Sequence, residues 1–214
     1  MGLLKRDHIR TMLSMDRIAQ AWEQVHGRPA AEADVEAVYA QFEPKLMSIL
    51  GQFSSPKPYV LEAVEALRGM EVRIGSTTGY TDPMMAVVAA EAARQGYAPD
   101  FWISPDGVGG RGRPCPYMIF ENMKALGADS VSSVLKVGDT VSDIQEGRSA
   151  GVWSAGVIEG SSVLALSQSE YEALSPQERR DACRRAEHTF RAAGAHFVLQ
   201  NLSQLPALVH MLGA

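Results

Sequence analysis

The sequence is poor in cysteine and contains no long hydrophobic run. Its two cysteines, Cys115 and Cys183, stand far apart without a C-x-x-C spacing, and no charged segment followed by an apolar one opens the chain. No stretch approaches the roughly 18 apolar residues that a membrane span needs. These absences argue against a membrane role and predict a cytoplasmic protein.

The chain also lacks an excess of positive charge. Its formal net charge is -5, and the basic residues are scattered along the 214 positions. This pattern offers no continuous surface to nucleic-acid phosphates, so nucleic-acid binding is not expected, although local basic residues could hold a small anion. The hydrophobic fraction of 46% and the length suffice for one core with a small appended domain.

Hydrophobic spacing divides the chain into two regions. Apolar residues recur at helical spacing through the first fifty or so positions, and the following stretch GQFSSPKP, residues 51–58, is typical of a linker. We therefore expect a small helical domain at residues 1–52 and a larger domain at residues 53–214.

The second region alternates short apolar runs with amphipathic segments. The charged segment 167–194 is predicted to hold a solvated helix. Alternation of this kind predicts βαβ units and hence an α/β fold with a parallel, doubly wound sheet. The predicted strands are VRIGS (72–76), FWIS (101–104), VLKVG (134–138), VWSAGVI (152–158) and HFVL (196–199).

The segment KVGDTVSD, residues 136–143, places two carboxylates after a predicted strand. Ligands of open parallel sheets bind beyond the carboxyl ends of the strands, and Mg²⁺ prefers oxygen ligands, so Asp139 is a candidate metal ligand. The alternative is purely local, because Asp143 could favour a helix N-terminus while Asp139 caps a turn.

A second polar turn follows the first predicted strand of the larger domain. In IGSTTGYT, residues 74–81, the hydroxyls of Ser76, Thr77 and Thr78 could bind phosphate oxygens together with backbone N–H groups. The same segment could instead be a turn that caps a helix beginning at Asp82, with Pro83 in its first position.

The segment GVGGRGRPCP, residues 107–116, contains the pattern G-x-G-x-x-G. A dinucleotide site would need these glycines to open a helix and an acidic residue about twenty positions on. Arg113 and Pro114 intervene and Asp139 is further away, so such a site is not favoured. Arg113 could instead grip a phosphoryl group through its guanidinium fork.

The chain begins with MGLLKRDHIR, in which Lys5 and His8 share one face of a predicted helix. A lysine that is removed from water has a lowered pKa and can attack a carbonyl to form a Schiff base. Taken by itself, Lys5 is better explained as a solvated surface residue.

In this order, IGSTTGYT, GRPCP and KVGDTVSD resemble the later motifs of the haloacid dehalogenase superfamily. Together with MGLLKRDHIR and KVGDTVSDIQEGRSAG they are similar to the phosphonoacetaldehyde hydrolase family in particular, and the likeness continues to GAHFVL, residues 194–199. The resemblance implies a haloacid dehalogenase-like parallel-sheet core with residues 1–52 as its helical cap, and a homodimer packed through the caps.

The activity that the resemblance implies is Mg²⁺-dependent hydrolysis of phosphonoacetaldehyde to acetaldehyde and phosphate. Lys5 would form a Schiff base with the aldehyde, so that the carbon leaves as an enamine, and His8 and Tyr80 would lie near it. The phosphoryl group would pass to an aspartate nucleophile.

The remaining motif residues take roles at the phosphoryl group in this resemblance. Arg113 would be the phosphoryl-binding cation, and Thr78 or its neighbours would bind phosphate oxygens. Asp139 would be a ligand of Mg²⁺, and Asp143 a weaker candidate for the same role.

One motif of the superfamily is missing from these residues. Its first strand ends in D-x-x-x-T, whose first aspartate is the nucleophile and a metal ligand. No apolar strand followed by D-x-x-x-T occurs before residue 50. In the superfamily this strand lies between the strands that here end at Ser76 and Gly138. Two interior edges are therefore expected to be unpaired, which is costly for buried backbone groups.

Three explanations remain open for the missing motif: an incomplete sequence, a short inactive chain with a binding or dimerisation role, or an enzyme that uses another nucleophile. Activity of the 214 residues alone is expected to be absent or very low, because removing a covalent nucleophile removes the route. The competing functions are another phosphatase of the superfamily, which would have no use for Lys5, and a non-catalytic binding protein.

Overall fold

The computed structural model describes residues 4–213. Within that range, none of the helices is both long and apolar enough to span a bilayer. Helices fill the first part of the chain and separate the strands of the rest. They are α1 (Lys5–Leu13), α2 (Asp16–His26), α3 (Glu32–Ile49), α4 (Val60–Gly69), α5 (Asp82–Arg94), α6 (Tyr117–Leu126), α7 (Val141–Ala150), α8 (Gln168–Ala173), α9 (Pro176–Ala192) and α10 (Leu205–Gly213).

Short parallel strands form a two-stranded sheet and a three-stranded sheet in the described part of the chain. In the first sheet β1 pairs with β2, and in the second β4 lies between β3 and β5. The predicted α/β fold with parallel strands and intervening helices is confirmed. The strands are β1 (Gly75–Thr77), β2 (Phe101–Ile103), β3 (Leu135–Gly138), β4 (Trp153–Val157) and β5 (Phe197–Leu199).

The first strand starts later than the sequence predicts, at Gly75 instead of residue 72. The side chain of Asp100 explains the difference, because its Oδ2 accepts a hydrogen bond from the Ile74 N–H at 2.7 Å. The Ile74 carbonyl in turn accepts the Asp100 N–H at 2.8 Å. A side chain thus takes the place of a neighbouring strand at the entrance to β1. The other strands lie within one residue of their predicted limits.

No backbone pairing joins β1 to β3 among the described strands. Side chains connect them instead, since Lys136 Nζ on β3 donates a hydrogen bond to Thr77 Oγ1 on β1 at 2.8 Å. The two sheets therefore face each other with free strand edges, as the resemblance led us to expect. Such edges are natural acceptors for a further strand.

Apolar clusters cover the three-stranded sheet. One cluster centres on Phe190 of α9, which is fully buried, and includes Ile144 of α7. The other joins Leu67 of α4 and Leu208 of α10 to Ala155 at the middle of β4. These clusters fix α7 against the sheet, and α7 carries much of the site described below.

The N-terminal helices have an apolar cluster of their own. Ile9 of α1 packs against Val35 and Tyr39 of α3, with Leu13 at its border. Arg6 covers this cluster, because its guanidinium lies 3.9 Å from the centre of the Tyr39 ring. The domain boundary near residue 52 stays a prediction. The 3-10 segment Leu50–Phe53 follows α3 at that point.

Candidate active site

The site begins where β3 ends and α7 starts. Thr140 is the N-cap of α7, and its Oγ1 accepts the Asp143 N–H at 3.1 Å, while Asp143 Oδ2 accepts the Thr140 N–H at 3.2 Å. This reciprocal pair is a capping box, which satisfies N–H groups at the start of a helix. Asp143 thus lies at a helix N-terminus, as the local interpretation expects, and Thr140 caps that helix. A turn capped by Asp139 stays a prediction.

Gly138 allows Asp143 to lie directly against the end of β3. A Cβ atom at position 138 would be 2.2 Å from the Asp143 Cβ and 2.3 Å from its Cγ, closer than real atoms approach. The absence of a side chain at Gly138 thus sets where the Asp143 carboxylate lies.

We expect Gly138→Ala to displace Asp143 and to lower the free energy of unfolding by about 1 to 3 kcal/mol, the usual effect of overpacking. Urea unfolding measures the change. Gly51→Ala is the matched control, because a Cβ at Gly51 has no neighbour within 4 Å. Equal unfolding midpoints for the two variants would contradict this description of the strand end.

Four charged side chains and one hydroxyl meet between β1 and β3. Asp143 Oδ1 contacts Arg113 NH1 at 3.0 Å and Lys136 Nζ at 2.9 Å. Glu146 Oε2 contacts Arg113 Nε and Lys136 Nζ, both at 3.1 Å. Thr77 Oγ1 donates to Glu146 Oε2 at 2.9 Å and accepts from Arg113 NH2 at 2.8 Å. We call Thr77, Arg113, Lys136, Asp143 and Glu146 the charge cluster.

The charge cluster is largely removed from solvent. The side chains of Arg113 and Lys136 are 9% and 10% exposed, and those of Asp143 and Glu146 are 3% and 0% exposed. Buried ions are costly unless they are paired and hydrogen-bonded, and here two cations face two carboxylates. Each charge depends on the others, so replacing one residue changes the environment of all of them.

The two cations determine the protonation of Asp143. Burial by itself would raise the pKa of this carboxyl, but Lys136 and Arg113 outweigh that effect and hold it below its usual value. Asp143 is therefore a carboxylate at neutral pH, able to accept hydrogen bonds or to join a metal ion.

Lys5 of α1 lies beside the ring of Tyr80, with Nζ 4.6 Å from the ring centre. Burial lowers the pKa of Lys5, and the nearby positive charge of Arg113 lowers it further. Burial also lowers the pKa of His8, one turn further along α1, and Lys5 adds to that effect. Burial raises the pKa of the Tyr80 hydroxyl. The neutral amine is therefore a larger fraction of Lys5 than it is of a lysine exposed to solvent.

Replacing Arg113 by methionine is expected to raise the pKa of Lys5, because it removes a cation that disfavours the ammonium form. Burial remains, so the pKa should still lie below the ordinary value. An NMR titration of the lysine side chains measures the shift. Arg111→Met is the control, since Arg111 is exposed and stacks on Tyr117 at 4.1 Å. A Lys5 titration that is the same in both variants would contradict the proximity of Arg113.

The carboxylate of Asp139 pairs with a lysine outside the charge cluster. Its Oδ2 lies 2.9 Å from Lys57 Nζ, which also donates to the Gly160 carbonyl. The side chain of Asp139 remains 42% exposed at the carboxyl end of β3. Residues 4–213 contain no cluster of three or more metal-binding side chains. Mg²⁺ often takes only one or two carboxylates with waters and substrate phosphate, so Asp139 fits such a site.

The hydroxyls of Ser76 and Thr78 have partners outside the charge cluster. Ser76 Oγ is 2.9 Å from the Tyr97 hydroxyl, and Thr78 Oγ1 accepts the Tyr80 N–H at 3.1 Å. Thr77 alone of these three is a member of the charge cluster. The predicted helix at Asp82 is present, with Pro83 in its first turn.

Three charged residues at the site were not identified from the sequence. Lys136 could have been predicted as a site residue, because a lysine inside an apolar predicted strand needs a buried partner. Glu146 follows Asp143 by three positions in α7, a spacing that places both carboxylates on one helix face. Lys57 lies in the predicted linker, where no pattern indicates a contact with Asp139.

The fold and these motifs define a class of protein. The family model of haloacid dehalogenase-like hydrolases matches residues 5–151. The crystal structure of a phosphonoacetaldehyde hydrolase-like protein from Oleispira antarctica superposes with a TM-score of 0.93 at 33% identity, over 99% of this chain and 76% of that one. The protein is a haloacid dehalogenase-like hydrolase.

Curated relatives narrow the assignment. The phosphonoacetaldehyde hydrolase of Lysinibacillus sphaericus is 49% identical over 99% of this chain and 79% of its own length. That of Bacillus anthracis is 44% identical over 99% of this chain and 80% of its own length. The chain belongs to the phosphonoacetaldehyde hydrolase family.

Proposed function

We propose that the protein splits phosphonoacetaldehyde into acetaldehyde and phosphate, with Mg²⁺ and through a Schiff base on Lys5. The observation that carries this proposal is the half-buried Lys5, whose Nζ lies 4.6 Å from the centre of the Tyr80 ring. Burial and the positive charge of Arg113 lower its pKa. An amine for the aldehyde and a cation for the phosphonate are thus near each other. The names of the relatives support the same substrate.

Lys5 supplies the electron sink that breaking a C–P bond needs. Its neutral amine attacks the aldehyde carbon and water leaves, giving a protonated imine. When the phosphoryl group passes to the aspartate nucleophile, from which water later releases phosphate, the C–P electron pair moves into the imine to form an enamine. Protonation and hydrolysis then release acetaldehyde and restore Lys5. Tyr80, next to Lys5, helps to exclude water from the amine.

Arg113 and Thr77 lie on the phosphoryl side of this reaction. Both belong to the charge cluster, in which Arg113 NH2 donates to the Thr77 carbonyl at 2.6 Å and to its hydroxyl at 2.8 Å. A guanidinium held in this way can stabilise negative charge on phosphoryl oxygens. Ser76 and Thr78 are proposed to act with them through backbone and hydroxyl groups of the same segment.

Asp139 is the residue that we propose to hold Mg²⁺, with Asp143 as a weaker candidate. Bound Mg²⁺ would supply positive charge to the phosphoryl oxygens. Lys57 occupies one oxygen of Asp139, and its side chain is 52% exposed. A long, exposed lysine can move aside, so Asp139 remains accessible to a cation.

The nucleophilic aspartate is proposed to lie on a further strand between β1 and β3. The free edges of those strands support this proposal, because a parallel strand there would pair with both. Its carboxyl end would lie beside Thr77, Arg113 and Asp139. Without such a strand, we expect the described residues to bind the substrate without turning it over appreciably.

A homodimer through the N-terminal helices is proposed as well. Helix α2 buries no residue, and Met15 and Val25 beside and within it are 50% and 78% exposed. An amphipathic helix with an uncovered apolar face is typical of a contact surface. Cytoplasmic location remains a prediction from the sequence.

The test of the proposed function is the stoichiometry of products that the protein carrying the further strand forms from phosphonoacetaldehyde in the presence of Mg²⁺. The proposal expects acetaldehyde and phosphate in equal amounts and no phosphate from phosphoglycolate. Release of phosphate from phosphoglycolate would favour a phosphatase of the same class. Binding of phosphonoacetaldehyde without products, in a protein that carries the further strand, would favour a non-catalytic role.

A further inference from the structure

Among the described residues, Glu146 makes its ion pairs and hydrogen bonds through one carboxylate oxygen, Oε2. Its Oε2 contacts Arg113 Nε and Lys136 Nζ and accepts the Thr77 hydroxyl, whereas its Oε1 is buried and has no hydrogen-bond partner in the described residues. The side chain is completely buried. A buried carboxylate with one unused oxygen is costly, so its presence calls for a role beyond stability.

The ion pairs of Arg113 are divided between the two carboxylates of α7, while its NH2 donates to Thr77. Glu146 receives Nε, at the base of the guanidinium, while Asp143 receives only NH1, at its tip. If the contact between Asp143 and Arg113 is broken, NH1 becomes free while Nε stays bound to Glu146. Helical spacing puts both carboxylates on the same face of α7, which makes this division possible.

We propose that Glu146 is a positioning residue that fixes the Nε edge of Arg113, so that NH1 can turn from Asp143 to a phosphoryl oxygen. The inference rests on the proposed function for the identity of the substrate, and on the charge cluster for the geometry. Lys136 contributes by neutralising Glu146 and Asp143, which lets two carboxylates lie near one arginine in the protein interior.

A purely structural role makes a different prediction. If Glu146 served only to pair with the buried charge of Lys136, removing both groups together would restore stability and leave phosphate binding intact. If Glu146 positions Arg113, the double replacement would restore stability without restoring phosphate affinity. The double variant Lys136→Met with Glu146→Gln therefore separates the two roles.

The experiment measures binding of inorganic phosphate by calorimetry, together with the thermal midpoint. Glu146→Gln alone and the double variant are compared with the unsubstituted chain. Glu91→Gln is the matched control, because Glu91 also pairs with an arginine, Arg94, and its side chain is 27% exposed. The Nε–H signal of Arg113 in nitrogen-15 NMR, assigned by its loss in Arg113→Lys, reports the position of the guanidinium directly.

We expect the dissociation constant for phosphate to rise about tenfold in Glu146→Gln and in the double variant, which corresponds to the loss of one charge-assisted contact. The Arg113 Nε–H signal should shift or broaden in both. Glu91→Gln should change neither. Phosphate affinity within twofold of the unsubstituted chain in the folded double variant would overturn the proposal, and so would no phosphate binding by the unsubstituted chain.

Failure of the proposed function and failure of the role proposed for Glu146 give different results. If phosphate binding falls as expected but phosphonoacetaldehyde yields no acetaldehyde even with the further strand present, the proposed function fails. The role of Glu146 in positioning an anion-binding arginine would still stand, because inorganic phosphate binding does not require C–P cleavage.

Discussion

Lys5→Arg is expected to abolish the capture of phosphonoacetaldehyde by borohydride reduction. The reduction converts a Schiff base into a stable amine, so the protein gains mass only where a neutral amine has attacked the aldehyde. Arginine keeps the positive charge, stays protonated at neutral pH and cannot serve as this nucleophile. Intact-protein mass spectrometry measures the fraction captured, which should fall from near completion to background.

The control for this variant is Lys45→Arg. Lys45 lies on α3 and is exposed, so it has no reason to react preferentially. Its replacement should leave capture unchanged. Equal capture by the Lys5→Arg and unsubstituted chains would place the reactive amine elsewhere and remove the basis for a lysine Schiff base at this site.

Adding the further strand is expected to raise phosphate release by at least about 10⁴-fold, the range that separates covalent catalysis from positioning alone. The added segment would be an apolar strand that ends in D-x-x-x-T and precedes α1. Phosphate release from phosphonoacetaldehyde with Mg²⁺ is compared with that of the 214-residue chain.

The matched control carries the same added strand with asparagine in place of the first aspartate. Asparagine preserves the strand and its size but cannot accept the phosphoryl group, so this version should remain as slow as the chain alone. Equal rates for the aspartate and asparagine versions would contradict a nucleophile at that position. High activity of the chain alone would direct attention to Asp143 and the other carboxylates at the sheet edge.

The fold could be predicted from the sequence because its strands are short apolar runs bounded by polar turns. The main displacement, at β1, arises from a single side chain, since Asp100 satisfies the backbone of Ile74 where a strand partner was expected. A hydrogen bond between residues 26 positions apart leaves no trace in local spacing. The separation of the sheets came from the resemblance, and periodicity alone would not have indicated it.

The candidate site was less accessible to sequence reasoning. Arg113, Thr77 and Asp143 were named individually, but their meeting in one cluster depends on Lys136 and Glu146, which were not named. A lysine inside an apolar strand indicates that a buried partner exists, but only the fold shows which carboxylates are its partners. The burial of Lys5 is similar, because a lysine at the start of a helix is usually solvated and only the packing of α1 reveals otherwise.

Asp139 shows that its position along the chain could be predicted from the sequence, whereas its partner could not. Its place at the carboxyl end of β3 followed from the strand prediction, and the structure puts it there. Its contact with Lys57 joins residues 82 positions apart and could not be read from either segment. Local patterns thus located the polar residues along the chain, whereas tertiary packing decided which of them became partners.

In the proposed mechanism Lys5 and the charge cluster bind the same substrate, Lys5 at the aldehyde and the charge cluster at the phosphonate. Comparing borohydride capture of phosphonoacetaldehyde with that of acetaldehyde, followed by peptide mapping, tests this directly. We predict that phosphonoacetaldehyde labels Lys5 at concentrations about tenfold or more below those that acetaldehyde requires, as one charge-assisted phosphonate contact would provide, and that inorganic phosphate suppresses the labelling. Equal labelling by the two aldehydes, or labelling spread over other lysines, would contradict it.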